Sequence, residues 1–571
     1  MTTKNKILGN GVPIVDRIKL IKGVQCNSSK YYSADRNVPG KVKLENKEIV
    51  KYQVFLEEKN YKKAYEKVKS IPGNMTYGVD GQTLDGYSKK IIKETIGKLK
   101  DRSFQFKPSK RVYIPKANGK LRPLGIPSPR DKIIQKILLM HLEPILEKVF
   151  SKYSHGFRPK KSCHTALKQI QTIGTSARWA IVGDIKGYFD NINIKKLKEI
   201  LRPYIDRETE KLIDKMVKAG YIETNNRKLD LTNIKLDLTN IKGKVISERN
   251  SEGELIGVPQ GSIITPILSN LYLHSLDKFM EAKMEENNYK SKISPEYTKY
   301  DHKVAYAYEH KVAYARKMRK QIEESPRAET VEGKEQIEMY RKIAKENAKI
   351  RRHTPCTIKV TGMNIKYVRY ADDFIVLVNG TYKEAKQLKE EIKKFLLETL
   401  QIELNMDKTV ITDLYRKHAS FLGYWISAKG TYTGTTKNNK KLMWINLKIP
   451  GKMVLQKLIK KGFCKSYTHC TAIKSWIHLS HKDILFRYNA IIRGIIYYYK
   501  LISNLADLKG LIYILQMSCA STLKRKHGYN SLSKVFSKFG NKLIDPESKS
   551  QLAIPKNWRK DNFIKEYEEP L

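Results

Sequence analysis

The amino-acid sequence predicts an α+β protein in which an antiparallel sheet is followed by a helical C-terminal region. Short runs of β-branched and aromatic residues flank Tyr370-Ala371-Asp372-Asp373, a pattern typical of a β-hairpin with two carboxylates at its tip. A second apolar run, residues 179–183, ends at Asp184. Beyond about residue 430, apolar residues recur at three- and four-residue spacing, which predicts helices.

The composition indicates a polyanionic partner. The chain has 571 residues, with 110 Lys and Arg against 58 Asp and Glu, which gives a formal net charge of +52 at pH 7. A charge of that size opposes a compact fold unless a polyanion shares the surface. We therefore expect a nucleic acid partner, with a basic surface kept for solubility as the alternative. The length suggests roughly three to four domains.

Cysteine spacing and hydropathy argue against two other classes of protein. The cysteines are scattered and form no Cys-x-x-Cys pair, so we expect no zinc site. Cys464 and Cys470 lie near His469 and His478, but their irregular spacing favours isolated thiols and imidazoles. No apolar run is long enough to span a membrane, and the N-terminus lacks the apolar core of a signal peptide. We expect no membrane partner.

The aspartates at the ends of the two apolar runs indicate a metal site. If the strands are neighbours in one sheet, Asp184 lies beside Asp372 and Asp373. Like charges that close are costly unless cations neutralise them, and carboxylate oxygens suit Mg²⁺. Two such ions about 4 Å apart activate a 3′-hydroxyl and stabilise a departing pyrophosphate. The pattern predicts a nucleotide polymerase, although an Asp-Asp pair by itself is more often a solvated turn.

These motifs resemble one family. The hairpin at 370–373, the block at 183–190 and Pro259-Gln260-Gly261 resemble a group II intron-encoded reverse transcriptase and maturase of the organellar type. The resemblance implies a right-hand polymerase fold, with fingers and palm around an antiparallel sheet and then an α-helical thumb and maturase domain. It also implies two Mg²⁺ ions with four ligands: the carboxylates of Asp184, Asp372 and Asp373 and the backbone carbonyl of Ile185.

The resemblance further implies an order of domains. The expected segments are a basic N-terminal arm at 1–53, the N-terminal extension of the reverse transcriptase at 54–107, the fingers and palm at 108–429 with an insertion at about 277–365, the helical thumb and maturase domain at 430–545, and a C-terminal tail at 546–571. Helices are predicted at about 54–68 and 88–100 within the extension.

A basic hairpin is predicted at 111–127, where two strands meet at a Gly turn. By the resemblance it belongs to the fingers and closes on the incoming triphosphate. Lys120 and Arg122 are then the triphosphate contacts, since an Arg side chain offers phosphate a bidentate fork. The alternative is an ordinary basic hairpin.

Three further residues are implied as nucleotide contacts. Phe189 lies five residues after Asp184, where an aromatic ring in such polymerases excludes a 2′-hydroxyl; a plain core residue is the alternative. Gln260 would touch the incoming nucleotide or the template, because Gly and Pro let the backbone approach a base pair. Lys408 would lie near the carboxylates and assist the triphosphate, with a structural role as the alternative.

Two segments interrupt the pattern. Residues 228–241 contain a direct repeat, best explained as a duplication in a surface loop. The insertion at 277–365 is rich in Lys and Glu and has little apolar face, so we expect charged helices or disorder. It contains a second repeat, at 302–307 and 310–315. The insertion either binds intron RNA or is a solvated spacer.

The C-terminal region combines apolar stripes with basic clusters. Stripes at 484–499 and 508–523 predict two helices. Tyr497-Tyr498-Tyr499 cannot all be buried, so one or two of them are expected to contact RNA bases. The resemblance implies that this region grips the intron core through five basic residues: Arg487, Arg493, Lys524, Arg525 and Lys526. Because few residues follow 545 and they hold no metal-ligand cluster, we expect no HNH endonuclease domain.

The expected function is an RNA-directed DNA polymerase that is also a maturase. It would bind its group II intron RNA, promote splicing, and copy the RNA into DNA for intron mobility, using a DNA target or primer and dNTPs. The alternative is a splicing-only RNA-binding maturase with vestigial polymerase activity. A viral RNA polymerase is more distant, since those more often carry Gly at the position of Ala371. Lys-, Asn- and Ile-rich usage suits an AT-rich genome. We expect an organelle-encoded mitochondrial protein, with plastid or bacterial cytoplasm as alternatives.

Overall fold

The computed structural model describes residues 48–115, 119, 121–223, 246–251, 253–287, 291–293, 302–353, 357–359, 363–433, 440–555 and 558. The chain divides into two compact units, 1–48 and 49–571, and the architecture below is that of the second. Nearly all of the predicted N-terminal arm and the whole repeat at 228–241 lie outside the described residues.

The helices of the described chain are α1 Glu58–Lys69, α2 Lys89–Lys100, α3 Pro129–Glu147, α4 Cys163–Ile173, α5 Ile194–Leu201, α6 Arg207–Lys218, α7 Thr265–Asn287, α8 His302–Glu323, α9 Val331–His353, α10 Tyr382–Leu400, α11 Gly451–Lys460, α12 His481–Tyr498, α13 Leu505–Lys526 and α14 Leu532–Phe539. The strands are β1 Ser109–Pro115, β2 Leu121–Ile126, β3 Trp179–Gly183, β4 Tyr221–Glu223, β5 Ser291–Ile293, β6 Thr357–Lys359, β7 Asn364–Tyr370, β8 Asp373–Asn379, β9 Val410–Asp413, β10 Ala419–Phe421, β11 Tyr424–Thr433 and β12 Lys440–Lys448. Helices and sheets are mixed along the chain, as the α+β prediction requires.

The central sheet has the strand order β7-β8-β3-β9, and each neighbouring pair is antiparallel. The two central strands, β3 and β8, are almost continuously apolar because both faces of the sheet are covered. Alternate residues of β8 point to different cores. Phe374 and Val376 belong to a core with α3, α7 and α10, whereas Ile375 and Leu377 belong to a core with α4 and α11–α14. The sheet therefore lies between the two cores and is held rigidly from both sides.

A smaller sheet, β2-β1-β4, contains the predicted basic hairpin. Strands β1 and β2 are antiparallel, with Ile114 opposite Arg122, and β4 adds to β1 in parallel. The N-terminal extension differs from the prediction of one helix over 54–68. A 3₁₀ turn at Tyr52–Leu56 precedes α1, because Glu57 is extended and the side chain of Asn60 donates to the carbonyl of Val54 at 2.8 Å.

The first residues of the predicted insertion belong to helix α7. Helix α7 continues to Asn287, and Asp277, the predicted first residue of the insertion, is fully buried. The start of the predicted segment at about 277–365 is therefore helical and packed on the body of the protein, and the bounds of the insertion stay a prediction. Within the insertion, α8 and α9 are the charged helices that the composition favours, and β5 pairs with β6.

The C-terminal region contains the two predicted long helices, α12 and α13, which pack through residues such as Tyr488 and Leu515. Tyr499 is 7% exposed, whereas Tyr497 and Tyr498 are 40% and 37% exposed, so the expectation that not all three tyrosines are buried is confirmed. Among the described residues no helix combines the length and hydropathy needed to cross a bilayer.

Candidate active site

The turn between β7 and β8 carries two of the predicted catalytic carboxylates. Tyr370 pairs with Asp373, which leaves Ala371 and Asp372 as the two loop residues. Ala371 has a φ of 57°, a left-handed conformation that costs an alanine roughly 1 kcal/mol. Such a conformation persists only where the surrounding structure determines it.

A buried arginine determines this turn. The side chain of Arg369 is completely buried, and its Nη1 donates to the carbonyl oxygen of Ala371 at 2.9 Å and to Asn270 Oδ1 at 3.0 Å. Its Nε and Nη2 donate to the carboxylate of Asp277 at 2.7 and 2.6 Å, and Tyr367 donates to the same carboxylate at 2.9 Å. Burial raises the pKa of Asp277, but the guanidinium outweighs it and the pKa lies below its ordinary value. No local motif in the sequence predicts this network.

Residues 153–156 support the same turn from a neighbouring segment. The backbone N–H of Arg369 donates to the carbonyl of Tyr153, and the N–H of His155 donates to the carbonyl of Arg369, both at 2.9 Å. A Cβ on Gly156 would lie 2.3 Å from the backbone nitrogen of Ala371. Only glycine fits there, which explains the Gly in the Ser-His-Gly-Phe-Arg-Pro segment in physical terms.

His155 is buried beside this contact. Its Nδ1 lies 2.7 Å from Thr165 Oγ1, and its Nε2 contacts Gln169 Oε1. Burial lowers its pKa to about 4, with the hydrogen bond to Gln169 acting in the opposite direction. The imidazole is therefore neutral near pH 7, and its hydrogen bonds fix the segment that packs against the turn.

Asp184 directly follows β3 and lies at the same end of the sheet as the turn. Gly183 pairs with Phe374, so the antiparallel register continues to Asp184 opposite Asp373. A Cβ on Gly183 would lie 2.1 Å from the ring of Phe374, so the close approach of the two strands depends on this glycine. The sheet register thus brings the three predicted carboxylates to one edge.

The segment 403–408 contacts Asp184 through several hydrogen bonds. Lys408 Nζ donates to Asp184 Oδ2 at 2.8 Å, and Asn405 Nδ2 donates to the same oxygen at 3.0 Å. The N–H of Asn405 also donates to the carbonyl of Asp184 at 2.8 Å, while Ile185 forms a β-bridge with Leu404 and is buried. Asn405 is a site residue that sequence reasoning missed, although it stands in the Leu-Asn-Met-Asp-Lys-Thr block that contains Lys408.

The electrostatics of the site disfavour uncompensated negative charge. Burial raises the pKa of Asp373 to about 6, and the charges of Asp372 and Asp184 add to this effect. Burial also raises the pKa of Asp372, and Arg122 and Lys408 act in the opposite direction. Within the described part of the chain, no three His, Cys, Asp or Glu side chains stand in the arrangement of a metal site. Oδ2 of Asp184 accepts hydrogen bonds from Lys408 and Asn405.

The loop 257–262 connects the site to the β1–β2 hairpin. The N–H of Val258 donates to the carbonyl of Phe189 at 2.8 Å, and the N–H of Gly125 donates to the carbonyl of Gln260 at 2.6 Å. Phe189 is half-buried, with its ring 5.2 Å from that of Tyr188. Arg122 is exposed on β2, and its charge acts on Asp372. Lys120, the other predicted triphosphate contact, lies outside the described residues.

Comparison with known proteins decides the family. Residues 114–304 match the model of reverse transcriptases (RNA-dependent DNA polymerases), and residues 443–570 match the type II intron maturase model. The group II intron-encoded protein LtrA of Lactococcus lactis subsp. cremoris is 35% identical over 501 residues, which cover 86% of this chain and 76% of LtrA. The chain belongs to the group II intron-encoded proteins. It is an RNA-directed DNA polymerase with an intron maturase domain, and the resemblance seen in its motifs is confirmed.

Two further similar proteins come from yeasts. An uncharacterized 91 kDa protein in a cob intron of Schizosaccharomyces pombe is 35% identical over 503 residues, and the putative COX1/OXI3 intron 2 protein of Saccharomyces cerevisiae is 32% identical over 518 residues. Each match covers 86% of this chain, and the chain spans 56% and 53% of these two relatives.

The five predicted RNA contacts all lie in the maturase-matched region, residues 443–570. Arg487 and Arg493 lie on α12, where Arg487 is exposed with its guanidinium 5.4 Å from the ring centroid of Trp476. Three consecutive residues form the last turn of α13, where positive charge also suits the helix dipole: Lys524, Arg525 and Lys526. The structure therefore divides the five residues between two helices.

The β10–β11 hairpin contacts the C-terminal end of α12. Tyr498 OH donates to the carbonyl of Leu422 at 2.9 Å, and Tyr499 OH donates to that of Gly423 at 3.4 Å. His164 Nε2 lies 2.9 Å from the carbonyl of Tyr498. These contacts join the β10–β11 hairpin and α4 to the end of α12, a helix of the maturase-matched region.

Proposed function

We propose that this RNA-directed DNA polymerase works by two-metal-ion nucleotidyl transfer at Asp184, Asp372 and Asp373. The observation that carries the proposal is the register of the central sheet, which brings the ends of β3 and β7–β8 together. Three carboxylates from distant parts of the chain then share one edge. In a protein of net charge +52, this acidic cluster stands out against a basic surface.

The donor set at this edge fits Mg²⁺. Its ligands are hard oxygen atoms. Burial, and then the charges of neighbouring carboxylates, raise the pKa of Asp373, so a cation there would stabilise its ionised form. We propose two ions on these aspartates, with the backbone carbonyl of Ile185 as a further ligand. When bound, the ions supply Lewis-acid stabilisation of the attacking and leaving oxygens.

The residues of the chain itself position the nucleotide. Arg122 on β2, together with Lys120, holds the triphosphate, and Lys408, whose side chain is 65% exposed, turns from Asp184 to a phosphate oxygen. Gln260 lies in the loop that joins the hairpin to the site and contacts the base pair. Phe189 packs beneath the sugar, where its ring excludes a 2′-hydroxyl.

The domain assignment follows from these roles. We propose fingers and palm at 108–429 after the extension at 54–107, a thumb and maturase domain at 430–545, and an arm and a tail at 1–53 and 546–571. The basic residues of α12 and α13 then contact the intron RNA as the protein promotes splicing: Arg487, Arg493, Lys524, Arg525 and Lys526.

The wider role is intron mobility. We propose that the protein copies its intron RNA into DNA from a DNA target or primer, with dNTPs as substrates. An organellar or bacterial location fits the family, and the Lys-, Asn- and Ile-rich composition favours an organelle-encoded mitochondrial protein.

The test is dNTP incorporation on a primed RNA template with Mg²⁺. We expect Asp372→Ala to lower incorporation by about a thousandfold or more, because several kcal/mol of transition-state stabilisation are lost. Asp407→Ala removes an exposed carboxylate from the nearby 403–408 segment and should extend normally. Intron RNA binding is measured in parallel. Extension by Asp372→Ala at the wild-type rate would refute the assignment. A wild-type protein that binds intron RNA but does not extend the primer would favour a splicing-only protein.

A further inference from the structure

Helices α8 and α9 of the insertion form a helical hairpin with its own small core. Ala315 and Ile337 are buried between the helices, and the rings of Tyr314 and Tyr340 meet edge to face at 6.4 Å. Arg341 on α9 reaches Glu323 on α8 at 3.3 Å. The two helices are thus fixed side by side, and the surface between them has a defined shape.

A groove between the helices is lined mainly by positive charge. Its basic residues are Arg316, Arg319, Lys320, Arg341, Lys342 and Lys345, and its acidic residues are Glu323, Glu324 and Glu338.

Each acidic residue of the groove already has a partner. Glu323 pairs with Arg319 at 3.4 Å as well as with Arg341, Glu324 pairs with Lys320 at 3.5 Å, and Glu338 pairs with Arg341 at 3.5 Å. The groove therefore carries more positive than negative charge after these pairs are counted.

Three basic residues remain outside these pairs. Arg316, Lys342 and Lys345 are exposed, and no carboxylate among the described side chains lies within ion-pair distance of them. They stand on both walls of the groove. Lys342 and Lys345 are three residues apart on α9, a rise of about 4.5 Å at 1.5 Å per residue, so they follow one another along one wall of the groove.

We propose that this groove binds the phosphate backbone of the intron RNA, with Arg316, Lys342 and Lys345 as its phosphate contacts. The proposal rests on the proposed function, in which intron RNA is the partner of the protein. A folded RNA offers long A-form helices that proteins recognise through shape and phosphate contacts rather than base edges. A rigid hairpin with cations on two walls matches that chemistry.

The experiment measures the affinity of the full-length protein for the transcript that carries its reading frame, over a range of salt concentrations. The variant is Arg316→Gln/Lys342→Gln/Lys345→Gln. We expect affinity near 0.1 M salt to fall by about tenfold or more and the slope of log Kd against log salt to fall by about 2 to 3, since each lost phosphate contact removes nearly one released counterion.

A matched control separates this site from a change in net charge. Lys383→Gln/Lys386→Gln/Lys394→Gln removes three exposed positive charges from α10 instead. This control variant should weaken RNA affinity only slightly and leave the slope of log Kd against log salt unchanged. Hydroxyl-radical footprinting should show that only the groove variant loses protection at one set of nucleotides. Equal slopes and footprints for the two variants would overturn the proposal.

Two further measurements make the outcomes distinguishable. An RNA duplex and a DNA duplex of the same sequence are compared as probes, and a loss of affinity confined to DNA would overturn the RNA assignment in favour of a DNA site. Primer extension on a short primed RNA template should be unchanged in the groove variant. If the wild-type protein fails to extend that template, the proposed polymerase mechanism fails while the groove result still stands.

Discussion

The variant Asp277→Asn tests whether the buried ion pair positions the catalytic turn. The carboxylate of Asp277 accepts hydrogen bonds from Arg369 Nε and Nη2 and from Tyr367, and both members of the pair are completely buried. An asparagine keeps the size of the side chain but replaces one acceptor oxygen with a donor that faces the guanidinium. The charge of Arg369 is then buried without compensation.

The expected cost follows from that geometry. Breaking a buried ion pair by removing one partner costs about 3 to 5 kcal/mol, most of it from the remaining charge. Arg369 also holds the carbonyl of Ala371, so its displacement moves the turn that bears Asp372 and Asp373. A misplacement of about 1 Å costs on the order of a hundredfold in rate. We therefore expect a lower melting temperature and a kcat for primer extension about a hundredfold lower, with a smaller change in the KM for dNTP.

A double variant separates positioning from stability. Asp277→Leu/Arg369→Met removes both charges, and replacing a buried pair by apolar residues is often neutral for stability. We expect the melting temperature to recover while kcat stays low, because the carbonyl of Ala371 still lacks its donor. Unchanged melting temperature and kcat in Asp277→Asn would refute the reasoning. Recovery of both quantities in the double variant would show that the pair acts on stability alone.

Three further predictions concern single positions. Phe189→Ala should raise incorporation of ribonucleotides relative to deoxynucleotides by tenfold or more, because roughly 1 to 3 kcal/mol of steric discrimination is removed. If the variant and the wild type select equally between the two sugars in competition assays, the ring of Phe189 does not exclude the 2′-hydroxyl. Gly183→Ala should destabilise the protein by about 1 to 3 kcal/mol in urea unfolding, because its Cβ meets the ring of Phe374 at 2.1 Å, and Phe374→Leu should relieve part of that loss. The pKa of His155 is about 4 in the folded protein and 6.5 in the unfolded chain. Its contribution to the free energy of unfolding is therefore fully present above pH 6.5 and is lost as the pH falls toward 4. The loss amounts to up to about 3 kcal/mol. His155→Asn should flatten the pH dependence of the unfolding midpoint in that window, and an unchanged slope would remove His155 as its source.

Local sequence patterns were sufficient for the elements that present the carboxylates. Apolar runs predicted β3 and the β7–β8 hairpin, because strands covered on both faces are continuously apolar and the turn between them is polar. Helices α12 and α13 followed from their apolar period. The position of Lys408 near the carboxylates came from the resemblance, and the structure places its ammonium on Asp184.

Long-range polar pairs could not be predicted in this way. Arg369 and Asp277 are 92 residues apart, and each stands in a segment whose local pattern gives no sign of its partner. Asp277 was instead placed at the start of the insertion, because the segment that follows it is rich in Lys and Glu and has little apolar face. Asn405 was missed for a similar reason: an Asn in a loop is normally a turn residue, and only the folded contact shows that it donates to Asp184.

The base of the insertion has a consequence for how the chain tolerates change in length. Strands β5 and β6 pair with each other where the insertion leaves and re-enters the body, and Asp277 and Arg369 are joined inside that junction. Since the ends are already held together, the entropy of closing the intervening segment varies only with the logarithm of its length, and doubling that length costs about 0.6 kcal/mol. Repeats such as those at 302–307 and 310–315 can therefore be gained or lost in this segment at little cost to the register of the catalytic strands, and a reporter domain grafted there should leave primer extension intact.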